Sequence, residues 1–169
     1  NKIEDRAYSL NDSVDLIKDI SSAKFDESVE IHLMTNADPK NADEQIRTVA
    51  DLPHGTGKQV RVLVFADGDA AVSAKEAGAD FVSDDEIVKN IEKGWQDFDV
   101  AIATPDQMSK IGKLGKFLGR KGLMPNPKTG TVVQPQNISQ AITASKKGRT
   151  EIKIDSASVI HFNVGKASF

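Results

Sequence analysis

No cysteine occurs in the 169 residues, which removes disulfides, thiolate nucleophiles and cysteine-based zinc sites together. That composition fits a reducing compartment. Histidine is scarce as well: His32, His54 and His161 lie far apart and none forms a close metal-ligand pair, so neither a metal nor a cofactor is expected. No apolar run approaches the length that spans a bilayer, and no membrane contact is expected. No signal peptide or amphipathic Arg-rich leader opens the chain. It opens on Asn1 rather than Met, so a natural start upstream is expected.

What is present is ordinary in amount and unusual in placement. Hydrophobic residues make up 38% and charged residues 28%, as in a soluble globular protein with one domain or two small ones. The net charge of −3 argues against a basic nucleic-acid-binding domain until its distribution is read. Residues 1–110 hold 12 Lys and Arg against 23 Asp and Glu; residues 111–169 hold 10 against only Glu151 and Asp155. Such asymmetry suits a local surface for a polyanion, and it suits equally a solvated basic tail.

Hydrophobic spacing outlines the elements. Residues 12–22 read as a helix, with Val14, Ile17 and Ile20 at helical spacing and Asp12 or Ser13 as cap. In residues 28–34, SVEIHLM, Val29, Ile31 and Leu33 alternate with Glu30, His32 and Met34, the mark of a half-buried strand. A short helix is expected over 38–49, starting at Asp38-Pro39. After the Pro/Gly-rich LPHGTGK at 52–58 the pattern changes. VRVLVFA at 60–66 is a nearly continuous apolar run, typical of a strand buried on both faces. Helices at 69–77 and 84–93 alternate with strands at 79–83 and 98–103. A helix opens near Pro105, TVV at 131–133 is a candidate fourth strand, and a helix covers 136–147. That alternation means parallel crossovers. Strict alternation returns at Ile152 and Ile154 and at Ile160, Phe162 and Val164.

The expected fold is therefore mixed: α+β at the two ends of the chain and α/β between them. A discontinuous, sandwich-like α+β domain of residues 1–56 plus 149–169 would carry an inserted, Rossmann-like parallel-sheet domain of residues 57–148. The chain would cross between them near Gly55 and Gly148, which makes these glycines the expected hinge.

Catalytic motifs are weak. GTGK at 55–58 lacks the phosphate-loop pattern: Leu52 stands where the first Gly belongs, Gln59 follows Lys58, and the segment precedes a strand instead of following one. After the 60–66 strand comes Asp67-Gly68-Asp69, acidic where a dinucleotide's pyrophosphate would sit. Thr104 and Asp106 read as helix caps. The segment 110–130 stands out instead. It has no acid and carries Lys110, Lys113, Lys116, Arg120, Lys121 and Lys128 among four interleaved glycines, 112, 115, 119 and 122. Glycine lets a backbone approach a phosphate strand and Lys or Arg neutralises it, while Ile111, Leu114, Phe117 and Leu118 pack inward. Lys24-Phe25 before the first strand is the second candidate: Phe25 is either core or a platform for an RNA base, with Lys24 on phosphate.

GLMPNPKTGTV at 122–132 and LPHGTGKQVRVLVFA at 52–66 are the most specific of several segments that resemble the ribosomal protein L-one family. KFDESVEI at 24–31, AGAD at 77–80, FDVAIATPDQM at 98–108 and IHFNVGKASF at 160–169 follow the same family order. The resemblance implies a non-catalytic structural constituent of the large ribosomal subunit that binds rRNA at the mobile stalk. It implies assistance in releasing exit-site tRNA, repression of the protein's own messenger, and contacts with other ribosomal components. A bacterial cytoplasmic ribosome is expected, with a mitochondrial or plastid one as the alternative.

The rival class is an α/β nucleotide-binding enzyme domain, which nucleotide-dependent stabilisation would reveal. Carried over by position, Lys24, Phe25, Ser28 and Glu30 match the family's first RNA-contact segment, and Asp155 matches an acid in a strand loop. That loop reads Asp-Lys-Thr-Gly in many members and Asp155-Ser156-Ala157-Ser158 here, which leaves Ser156 and Ser158 as donors. Thr48 stands where Gly often follows the arginine matched by Arg47, and Arg120-Lys121 replaces a common Pro-Arg. Lys113, Lys116, Arg120, Lys121 and Lys128 form an auxiliary RNA-facing set. The resemblance also implies a continuation past Phe169, with helices and a final strand bearing a Thr-Met-Gly contact motif that completes the first domain.

Overall fold

The computed structural model describes residues 3–168; Asn1, Lys2 and Phe169, at the outer ends of the expected first domain, lie outside them. The first helix, α1, covers Leu10–Ile20. It starts earlier than the expected cap because Ser9 accepts the Asp12 N–H at 3.2 Å while its own hydroxyl donates to the Asp12 carboxylate. Strand β1 is Ser28–Met34, and its partner β7 is Val159–Lys166, antiparallel.

The expected helix over 38–49 does not form. Residues Ala42–Glu44 make one 3-10 turn, and Arg47–Asp51 is a strand, β2, antiparallel to β6 at Arg149–Lys153. Local side chains take the backbone donors a helix would need: Asp38 Oδ1 accepts from the Lys40 N–H, Asn41 Oδ1 from Asp43, and Glu44 Oε2 from Asp38. Beyond them Ile46, Thr48 and Val49 favour the extended form.

Between the two strand pairs runs a parallel sheet of β3 (Val62–Phe65), β4 (Phe81–Val82) and β5 (Val100–Ala103), in the order β4-β3-β5. The candidate strand TVV contributes a single parallel bridge, Ala103 to Val132, rather than a ladder. Pro125 and Pro127 before it, and Pro135 after it, remove donors on both sides.

Alternation along β3 sends Leu63 and Phe65 to one face and Val62 and Val64 to the other. Helix α3 (Asp85–Glu92) and the helical run containing α4 (Met108–Ile111) and α5 (Gly115–Leu118) cover the first face. Helices α2 (Asp69–Glu76) and α6 (Ile138–Lys146) cover the second. Leu63, Ile91, Ile102, Ile111, Leu118 and Ile142 have essentially no exposure. Each contributes roughly 1.5–3 kcal/mol of burial.

The β1/β7 pair differs. Ile31 and Leu33, on the side expected to be buried, are 38% and 49% exposed, and Phe25 is 74% exposed. Alternation thus gave the strand correctly, but no element among the described residues covers its apolar side.

Candidate nucleic-acid interface

The register of β1 on β7 places Ser28 opposite Lys166, Glu30 opposite Asn163 and His32 opposite His161, with a bulge after Val29. The two imidazoles lie 5.6 Å apart, centroid to centroid, and His32 Nε2 is 3.5 Å from Glu30 Oε2. Lys166 Nζ donates to the Asp26 carbonyl at 3.1 Å and to Ser28 Oγ at 2.9 Å. The Ser168 N–H donates to Asp26 Oδ1 and the Ala167 N–H to the Glu27 carbonyl. The end of β7 therefore pins residues 26–28 and presents Lys24 and Phe25, both exposed, in the bend just before them.

At the other end of the pair, the β6–β7 turn holds Asp155. Its Oδ1 accepts from the N–H groups of Ala157 and Val159, each at 2.8 Å. The Val159 hydrogen bond is the largest influence on this carboxyl; burial opposes it, and with the Ala157 hydrogen bond and the nearby His161 added the group is held below its ordinary range. Ser158 has a φ of 63°, the left-handed region. It closes a three-residue loop ending in a left-handed residue. Its carbonyl accepts both the N–H and the hydroxyl of Thr35, tying the loop to the end of β1.

Phe25 and Asp155 thus flank one ribbon from opposite ends, about 20 Å apart at ordinary strand rise. Lys24, Phe25, Ser28 and Glu30 come together at one end; Asp155, Ser156 and Ser158 at the other. Spacing alone missed His32, His161 and Lys166. Period-two alternation already puts His32 on the side of Ser28 and Glu30. Only the pairing adds Lys166 and His161.

The basic segment is a helical run ended by Gly122 in the left-handed conformation, φ 70°. Ile111, Leu114 and Leu118 pack on the parallel sheet and override the poor helix propensity of its glycines. Lys113, Lys116 and Arg120 fall three and four residues apart along its exposed side. Among the described residues, no carboxylate pairs with these three or with Lys121 or Lys128. Lys110, by contrast, meets Asp67 at 3.0 Å. Hydrogen bonds from Lys110 and then Gln107 hold the Asp67 carboxyl below its ordinary range, so this loop after β3 stays acidic and unsuited to a pyrophosphate.

Of the basic set, Lys121 shares a groove with residues of β2, β6 and β7. That groove, of about 370 Å³, is lined by Arg47 and its ion-pair partner Glu151, with Lys121, Lys153, Asp155 and His161. Lys128 sits apart, in the Pro127–Thr129 turn, where Asn126 accepts the Lys128 N–H on its side chain and the Thr129 N–H on its carbonyl. Gly130 in that turn leaves room for the Arg149 guanidinium: a Cβ there would lie 3.0 Å from Arg149 Nη2. Much of the motif 122–132 is thus a packing device.

The two crossings meet at their glycines. Gly55 and Gly148 have φ of 80° and 105°, and a Cβ on Gly148 would lie 2.4 Å from the Gly55 Cα. The Leu52 N–H donates to the Gly148 carbonyl at 3.2 Å. Nearby, Asp99 accepts from Lys58 Nζ at 2.6 Å and from the Arg61 N–H at 3.0 Å. Burial acts to raise the Asp99 pKa, but these donors outweigh it and the carboxyl titrates below its ordinary value. Among the described residues, no cluster of His, Asp and Glu could hold a metal ion, and no helix is long and apolar enough to cross a membrane.

Residues 17–169 match the model of the Ribosomal protein L1p/L10e family. The Large ribosomal subunit protein uL1 of Dehalococcoides mccartyi is 58% identical over 163 residues, which is 96% of this chain and 69% of the relative. The proteins of that name from Kosmotoga olearia and Thermosipho melanesiensis are 52% and 55% identical, each over 99% of this chain and 73% of its own length. These relatives are bacterial and carry the name of a ribosomal protein, not of an enzyme. With its family segments in order and matched from residue 17 onward, the chain belongs to the Ribosomal protein L1p/L10e family.

Proposed function

We propose that this protein is a constituent of the bacterial large ribosomal subunit and binds the stalk helices of large-subunit rRNA through the β1/β7 ribbon. The observation that carries the reading is Phe25: a large aromatic, 74% exposed, next to Lys24 and just before the Asp26 and Ser28 positions that Lys166 hydrogen-bonds. An exposed ring stacks on an unpaired base, a neighbouring ammonium meets phosphate, and carboxylates at Glu30 and Asp155 accept from 2′-hydroxyls or base amines. Lys113, Lys116, Arg120, Lys121 and Lys128 add phosphate contacts that carry no sequence information.

Residues 57–148 form a second domain that turns on Gly55 and Gly148 relative to residues 1–56 and 149–169. That motion accompanies the release of exit-site tRNA. A messenger structure shaped like the rRNA site would be held by the same ribbon, so the protein represses its own translation.

The test is a filter-binding titration with a stalk rRNA fragment. Phe25→Ala weakens binding by about 1–3 kcal/mol, the worth of one stacked base. Lys121→Ala weakens it less and lowers the salt slope by about 1. Equal binding by Phe25→Ala and the parent would refute the assignment.

A further inference from the structure

Beside the Gly55–Gly148 contact lies an open groove of about 810 Å³, remote from the β1/β7 ribbon in its lining. One wall is the β2–β3 crossing, with His54, Gly57 and Lys58; the other is the end of α6, with Lys146 and Lys147. Gly55 and Gly57 both have positive φ, 80° and 69°. Among the described residues, the N–H groups of Thr56, Gly57, Lys58 and Gln59 donate to no protein acceptor.

The side chains divide in two. Lys58 and Lys146 are anchored, on Asp99 at 2.6 Å and on Asp80 at 2.9 Å. Lys147 and His54 are exposed and meet no carboxylate among the described residues. The one acid on the groove wall, Asp51, faces Arg149 Nε at 3.9 Å. Consecutive free N–H groups around left-handed glycines, flanked by the Lys147 ammonium and the His54 ring, are the chemistry that receives a phosphate oxygen. No helix follows this loop, so it is not a nucleotide-binding phosphate loop. Its open shape suits a strand that passes through instead.

We propose that this groove binds the phosphodiester backbone of RNA. A phosphate seated there touches both crossings at once and holds Gly55 against Gly148, so RNA contact restrains the motion assigned above to these glycines. That last consequence rests on the hinge reading; the binding site does not.

The experiment is a titration of the 15N-labelled protein, followed by amide NMR, with an eight-residue oligouridylate and separately with inorganic phosphate. The oligouridylate is expected to move the Thr56, Gly57, Lys58 and Gln59 signals, and inorganic phosphate to move the same signals at much higher concentration. Lys147→Ala and His54→Ala, both at solvent-exposed side chains, each weaken the oligouridylate response several-fold, and Lys147→Ala lowers its salt slope by about 1. Unchanged amide dispersion in each variant reports that the fold is intact. Three outcomes overturn the proposal. Signals of Phe25 and Ser28 move while 56–59 stay still, which leaves the ribbon reading standing. Phosphate moves 56–59 and oligouridylate does not, which makes the groove a free-anion site. Oligouridylate moves 56–59 equally in parent and variants and independently of salt, which means that no phosphate is seated in the groove.

Discussion

The parallel sheet and the β1/β7 ribbon are both rich in Val, Ile and Leu, yet they meet opposite surroundings. Every residue of β3 is buried; in β1 only Val29 is even partly so. The parallel strands are joined by crossovers, and those crossovers are the helices that cover both faces. Among the described residues no such helix joins the ribbon, and β1 stays exposed although Ile160 of β7 is buried. Apolar content therefore makes a core only where topology supplies a second layer. Where it does not, the same strand chemistry offers a surface.

Substitutions in the two regions should separate them. Ile102→Ala, at a side chain with no exposure, is expected to cost about 2–5 kcal/mol in urea unfolding. Ile31→Ala on the ribbon should cost under about 1 kcal/mol. Equal losses would mean that the ribbon is buried in solution. At the junction, Gly148→Ala forces a Cβ against the Gly55 backbone at positive φ and should lose at least about 2 kcal/mol; a neutral result would show that the crossings are not in contact.

Within the ribbon, Ser158→Gly relieves a left-handed non-glycine residue. A gain of about 1 kcal/mol in unfolding free energy is expected, and a loss would mean that the serine hydroxyl matters more than the backbone.

The smallest effect is a pH dependence. Asp155 titrates lower in the folded protein than in the unfolded chain, because the Val159 and Ala157 N–H groups donate to it. Its contribution is therefore present above the unfolded-state pKa, about 3.9, and is lost as pH falls through the lower folded value. Asp155→Asn should flatten that acid arm of the stability curve; an unchanged arm would show the carboxylate to be idle.

Much of this was legible beforehand. The helix expected at 84–93, the buried run at 62–65 and the alternation of 28–34 rest on local chemistry, and they appear where spacing put them. The segment 38–49 departs from the helix expected there because Asp38-Pro39 resembles a helix start, while the side chains of Asp38, Asn41 and Glu44 bond the nearby backbone. These bonds close a turn, and pairing with β6 decides the strand that follows. For the candidate site, Phe25 and Asp155 came from family segments and Lys113 to Lys121 from charge. Lys166, His32 and His161 depend on register across more than a hundred residues of chain, which no local pattern encodes.

By itself, then, the sequence determined the element types of its strongly patterned segments, the acid-free stretch at 110–130 and the family. These depend on side-chain chemistry at short range. Only the tertiary structure decided that Phe25 is exposed and not core, that Gly148 must be glycine because Gly55 lies against it, and that Lys121 shares a groove with Asp155 and His161. Each of those is a contact, or a missing cover, between residues far apart in the chain, and such relations exist only once the chain has folded.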